Sequence, residues 1–172
     1  YISGLYHDIG KGRGTDHSNL GRSIVNSFCK RHLFPEEDTL LIEWLVENHL
    51  LMSVTSQKKD LSNISVVKEF AEKVGNLETL NYLYCLTVAD VSATNPSLWN
   101  SWNASLLRQL YDRTKLYFRD SVLLNESIHE QKKKALKLAK KFKKSEVENL
   151  WDRFYPDYFE GSDHLDLSQH AE

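Results

Sequence analysis

A chain of 172 residues with 41% hydrophobic and 27% charged residues fits one soluble globular core, large enough to need no disulfide or metal staple. A formal charge of −2 gives no global electrostatic case for nucleic acid, no apolar run is long enough to cross a bilayer, and two cysteines exclude a disulfide framework. The opening YISGLYHDIG has neither the basic start nor the apolar centre of a secretory leader, so the expected location is the cytoplasm.

Apolar residues recur at helical spacing almost throughout and no stretch alternates as half-buried strands do, so the expected fold class is all-α. Tyr1 opens in the middle of an apolar segment and the single methionine is Met52, which marks the chain as an expected piece of a longer protein. The first helix is expected to stop in the loop Gly10-Lys11-Gly12-Arg13-Gly14, and a second to run from about Ser18 to His32. Pro35 and the acidic Glu36, Glu37 and Asp38 suit the start of a third, which delivers His49 to a loop. MSVTSQKKDLSN is polar and unpatterned and is expected to be that loop. Ser65 to Val74 predicts a helix ended by Gly75, and Leu77 to Ala93 a strongly apolar, central one in which Cys85 is buried, as Cys29 is in the second helix.

Asn95-Pro96 predicts a break, after which a long helix is expected from Ser97 or Leu98 to about Arg119, with Trp99 and Trp102 packed in the core. The lysine-rich segment 126–144 has Ala135, Leu136, Leu138, Ala139 and Phe142 at amphipathic spacing, so its lysines read as a solvated basic face rather than a nucleic-acid site. Ser145 with Glu148 predicts a capping box for a short helix, and the tail GSDHLDLSQHAE, with His164, Asp166 and His170, is expected to be unstructured.

The chemistry gathers elsewhere. His7-Asp8 puts an imidazole and a carboxylate side by side where a helix gives way to a glycine loop, so both can turn toward one ion. Alone, such a pair is as readily a surface cap. His17 can be a polar loop residue and His49 a helix-end residue favoured by the dipole. Asp90 is harder to dismiss, because an ionised carboxylate in an apolar helix is costly unless hydrogen-bonded, paired or coordinated. The glycine loop is too short and wrongly spaced for a P-loop.

In order, His7-Asp8-Ile9-Gly10-Lys11-Gly12-Arg13-Gly14, Asp16-His17-Ser18, Asn48-His49-Leu50-Leu51-Met52-Ser53, Thr87-Val88-Ala89-Asp90, Ala93-Thr94-Asn95 and Leu98-Trp99-Asn100-Ser101-Trp102 resemble the HD domain of the bacterial bifunctional uridylyltransferase and uridylyl-removing enzymes. The resemblance is close over 1–118 and loose over the lysine-rich segment. Tyr155-Pro156-Asp157-Tyr158-Phe159 is similar to that family's approach to its C-terminal ACT domains.

The resemblance implies an HD-domain helical bundle over 1–120, a helical extension over 121–160 and, over 161–172, a linker toward ACT domains. It also implies hydrolysis of a uridylyl-tyrosine phosphodiester on the nitrogen-regulatory PII protein, with release of UMP and with glutamine acting through domains outside this chain. His7, Asp8 and Asp90 match metal ligands of the family, whose first histidine is expected upstream of Tyr1. A divalent ion, magnesium or manganese by resemblance although iron or zinc also suits the donors, would activate water and neutralise phosphoryl charge.

Asp8 or Asp90 is then expected to accept the water's proton and Lys11 to contact phosphate. His17 and His49 are left with three roles: a second ion, the phosphate, or protonation of the tyrosyl oxygen. Lys58 and Lys59, just after His49, are expected to touch the partner or nucleotide. The competing readings are an HD phosphohydrolase acting on another nucleotide, such as an alarmone, and a catalytically silent helical scaffold or protein-binding module.

Overall fold

The structure is a computed structural model and describes residues 1–14, 16–94, 99–138, 143–154, 158–159 and 162–170. Among the described residues every regular element is a helix, as the periodicity predicts. The chain divides into two compact units, Tyr1–Phe118 and Arg119–Glu172.

In the first unit α1 (Ile2–Tyr6), α2 (His17–Arg31) and α3 (Glu36–Glu47) form one layer, and α4 (Leu51–Lys58), α5 (Ile64–Val74) and α6 (Leu77–Thr94) follow. Helix α6 touches α1, α3, α4 and α5, which makes it the hub. Its residues Leu80, Leu83 and Leu86 are buried in the main core with Leu45, Met52 and Phe70. This central position is the one its apolar circumference predicts. Asp16 starts α2 by accepting from the Ser18 backbone N–H at 3.0 Å, and Gly75, at φ 84°, ends α5 where an L side chain would be strained.

Several expectations give way to packing. The expected loop after His49 is largely helix α4: Met52 is fully buried and Thr55 and Ser56 are buried beside it, so tertiary contact overrides a weak local pattern. The long helix α7 (Ser101–Leu138) does not stop at Arg119, since no glycine or proline interrupts it. Its expected start at Ser97 or Leu98 and the break at Asn95-Pro96 lie outside the described residues. Trp99 packs against the core, but Trp102 is 70% exposed. Cys29 is buried as expected whereas Cys85 is exposed, because α6 buries the faces carrying Leu83, Leu86 and Thr87.

The second unit has its own core, formed by Ala135 of α7, Val147 and Trp151 of α8 (Lys144–Trp151), Phe159, and Leu167 of α9 (His164–Gln169). Helix α8 begins two residues earlier than a Ser145 cap predicts, and it is Glu146, not Glu148, whose carboxylate accepts from the Lys143 N–H, at 3.0 Å. The expected unstructured tail instead carries α9. Asp163 caps it by accepting from the Leu165 and Asp166 N–H groups, and the fully buried Leu167 anchors it. The Lys132 ammonium lies 3.7 Å from the centre of the Phe159 ring, so this lysine is partly committed to packing.

The burial of α4 sets a stability test. Met52→Ala is expected to cost about 2–5 kcal/mol in denaturant unfolding, the range for emptying a core position. A change within about 0.5 kcal/mol would mean that this segment is a surface loop after all.

Candidate metal centre

The centre is built at three helix ends and one helix face of the first unit. Where α1 stops, the His7 ring turns back so that Nδ1 lies 2.7 Å from the Gly4 carbonyl oxygen. A carbonyl only accepts, so Nδ1 carries the proton and Nε2 points the other way. There it lies 3.2 Å from Asp8 Oδ2 and 3.3 Å from Asp90 Oδ1, the latter brought in by α6. Asp90 is steadied by the Thr94 hydroxyl, one turn further along α6, which donates to the same Oδ1 at 3.0 Å.

The other Asp8 oxygen faces a second group. His49, just past the end of α3, is 1% exposed, and its Nδ1 lies 2.7 Å from the Val46 carbonyl. Its Nε2 is therefore aimed at Asp8 Oδ1, 3.7 Å away, and His17 Nε2, from the first residue of α2, lies 3.8 Å from that oxygen. Two triads result, His7–Asp8–Asp90 and Asp8–His17–His49, each with its ligand atoms within 4.8 Å of one another. Asp8 belongs to both.

Charge and hydrogen bonding test whether an ion fits. Burial raises the Asp8 carboxyl, but the hydrogen bond from Lys11 and the positive fields of His7 and Lys11 outweigh it and hold the group below its ordinary range, hence ionised. Burial lowers His49, with His7 and His17 adding to the effect. These outweigh the Val46 hydrogen bond and Asp8, so the ring is neutral at neutral pH and presents a lone pair at Nε2. Asp8 Oδ1, His17 Nε2 and His49 Nε2 are all buried with no hydrogen-bond partner. An orphaned buried polar group costs about 1–3 kcal/mol, and three of them converging on one point are the donor set a divalent cation satisfies.

The glycine loop sets the spacing. A Cβ at Gly10 would lie 2.5 Å from the His17 carbonyl oxygen and 2.9 Å from its Cα, so only glycine lets the start of α2 close over Asp8. Lys11, expected on phosphate, is hydrogen-bonded to Asp8 Oδ2. Lys59 pairs with Glu69 at 3.1 Å, and Lys58 ends α4. The three residues expected around the ion, His7, Asp8 and Asp90, come together, and His17 and His49, expected at an ion, the phosphate or the leaving oxygen, gather on the other side of Asp8. The expectations pass over the Gly4 and Val46 carbonyls and the Thr94 hydroxyl, although a partner three residues before a histidine, or four beyond an aspartate, on a helix is a readable signal.

A family model described as the HD domain matches residues 1–95, more than half of the chain. The chain belongs to the HD domain family. HD domains are metal-dependent phosphohydrolase modules, and the His7-Asp8 pair stands in the matched region together with Asp90. Over its whole length the chain is 51% identical to the bifunctional uridylyltransferase/uridylyl-removing enzyme of Azotobacter vinelandii and 48% identical to those of Stutzerimonas stutzeri and Pseudomonas putida. The chain spans 20% of the length of each of these relatives. No solved structure matches it. No helix among the described residues is long and apolar enough to cross a membrane.

Two outcomes follow from this geometry. Gly10→Ala should lower manganese affinity about tenfold in a calorimetric titration, because the Cβ displaces His17 although every ligand residue is still present. In the metal-free chain, the unfolded state takes up a proton at His49 near pH 6.5 while the folded state resists it. Stability is therefore expected to fall as the pH drops below about 6.5, and His49→Asn should show a shallower fall in denaturant unfolding between pH 7.5 and 5.5.

Proposed function

We propose that this HD domain hydrolyses a uridylyl-tyrosine phosphodiester on the nitrogen-regulatory PII protein and releases UMP. The observation that carries the hydrolase reading is the shared Asp8, whose two oxygens face separate histidine-containing triads, one of which converges three buried, unpartnered atoms, Asp8 Oδ1, His17 Nε2 and His49 Nε2. The substrate rests on the 48% to 51% identity to uridylyl-removing enzymes and on the sequence resemblance that names PII.

His7, Asp8 and Asp90 would hold one divalent ion, and Asp8, His17 and His49 a second, with magnesium or manganese favoured by the family resemblance, since the mixed carboxylate and imidazole donors suit iron or zinc as well. The ion supplies charge neutralisation at the phosphoryl oxygens and an acidified water. The protein supplies orientation. The Gly4 and Val46 carbonyls fix two imidazoles with Nε2 inward, and Thr94 fixes Asp90. The hydrolysis joins a water oxygen to phosphorus and breaks the phosphorus–tyrosyl oxygen bond. Asp8 and Asp90 are the carboxylates placed to receive the water's proton, and Lys11, released from Asp8, is within reach of an incoming phosphate. Glutamine would act through parts of the relatives that this chain does not span.

The test uses an intact uridylyl-removing enzyme carrying this domain, with uridylylated PII and manganese. Asp8→Ala and Asp90→Ala are each expected to slow UMP release by about 100-fold or more, and chelation to abolish it. Release of UMP at an undiminished rate by both variants would refute the assignment. An intact enzyme that hydrolyses an alarmone and leaves PII untouched would move the substrate elsewhere in the family.

A further inference from the structure

Beside the His7–Asp8–Asp90 triad lies a cavity of about 310 Å³ whose remaining wall is Gly4, Leu86, Ala89, Ala93 and Thr94. Ligand cavities run from about 300 to 1,000 Å³, so this one, at the bottom of that range, suits a small group. No lysine or arginine forms its wall among the described residues; Lys11 stands outside it, hydrogen-bonded to Asp8 Oδ2. Apart from the triad its polar side chain is Thr94, whose hydroxyl is already given to Asp90. A uracil ring or a ribose would bring polar groups that this wall does not answer.

Gly4 supplies an independent observation. It sits inside α1, where glycine is the poorest helix former after proline, yet its backbone conformation does not require glycine and a Cβ there would meet nothing within 4 Å. Neither packing nor backbone geometry accounts for it. Its place on the cavity wall does, because any side chain there would project into the open space beside His7.

We propose that this cavity is the leaving-group subsite and takes the flat, uncharged ring of an aryl phosphodiester, with Gly4 and Ala93 setting how much ring fits. This rests on the phosphodiesterase reading of the same site. As the water oxygen joins phosphorus and its proton passes to Asp8 or Asp90, the aryl oxygen departs from phosphorus on the α1–α6 side of the triad and is protonated by solvent water, while the nucleotide lies on the side of Lys11 and the glycine loop.

Gly4→Leu and Ala93→Leu fill the cavity from two helices, and both positions are exposed, so the fold should tolerate them. In an intact uridylyl-removing enzyme carrying this domain, each is expected to raise KM for uridine 5′-(4-nitrophenyl) phosphate about tenfold or more. Inhibition by UMP, which lacks the ring, should stay unchanged, as should manganese affinity and melting temperature. Equal weakening of the diester and of UMP would assign the cavity to the nucleotide and overturn the inference. Unchanged KM in both variants would overturn it as well. Failure of the wild-type enzyme to cleave the diester with any divalent ion would instead bring down the phosphodiesterase reading itself, and this subsite with it.

Discussion

Asp8 is an ionised carboxylate with a histidine nitrogen facing each of its oxygens, and much of the first unit can be understood as the means of keeping it so. Oδ2 lies near His7 Nε2 and Lys11, and Oδ1 near Nε2 of His17 and the lone pair of His49. A lone pair facing a carboxylate repels it, and 3.7 to 3.8 Å is too long for a direct hydrogen bond. The arrangement is favourable only with positive charge between the atoms, which a divalent ion provides and an empty polar pocket does not.

The helices serve that requirement by their ends. The ends of α1 and α3 each carry a histidine whose Nδ1 proton goes to the carbonyl three residues back, so the backbone sets both tautomer and aim. Helix α2 contributes its first residue, held by the Asp16 cap and by the close approach that Gly10 permits. Helix α6 contributes a face rather than an end, and its leucine contacts to the core fix how far Asp90 reaches. Precision here comes from rigid elements and backbone acceptors, with the glycine loop as the tight connection from α1 to α2.

The site was more legible than the packing. Asp90, a carboxylate in an apolar helix, is a chemical oddity that the sequence displays directly because it is costly without a partner, and His7-Asp8 and His49 at helix ends gain meaning beside it. The segment after His49 hid its helix, since Met52, Thr55 and Ser56 become a buried face only once α4 packs against α6. Cys85 and Trp102 were misplaced for the same reason: an apolar residue in an apolar helix does not announce its rotation about the axis. The tail concealed α9 because two leucines among polar residues make no pattern until Leu167 finds the core of the second unit. Which oxygen of Asp8 serves which triad, and that Gly4 borders a cavity, are facts of three-dimensional placement that no spacing encodes.

The central claim is that one carboxylate serves two ion sites, and a manganese titration followed by electron paramagnetic resonance tests it most directly. Asp8→Asn keeps the shape and removes the charge, so the account predicts loss of binding at both triads. Asp90→Asn should weaken only the His7 triad and leave an ion with Asp8, His17 and His49. Manganese binding by Asp8→Asn equal to that of the wild-type chain would contradict the account.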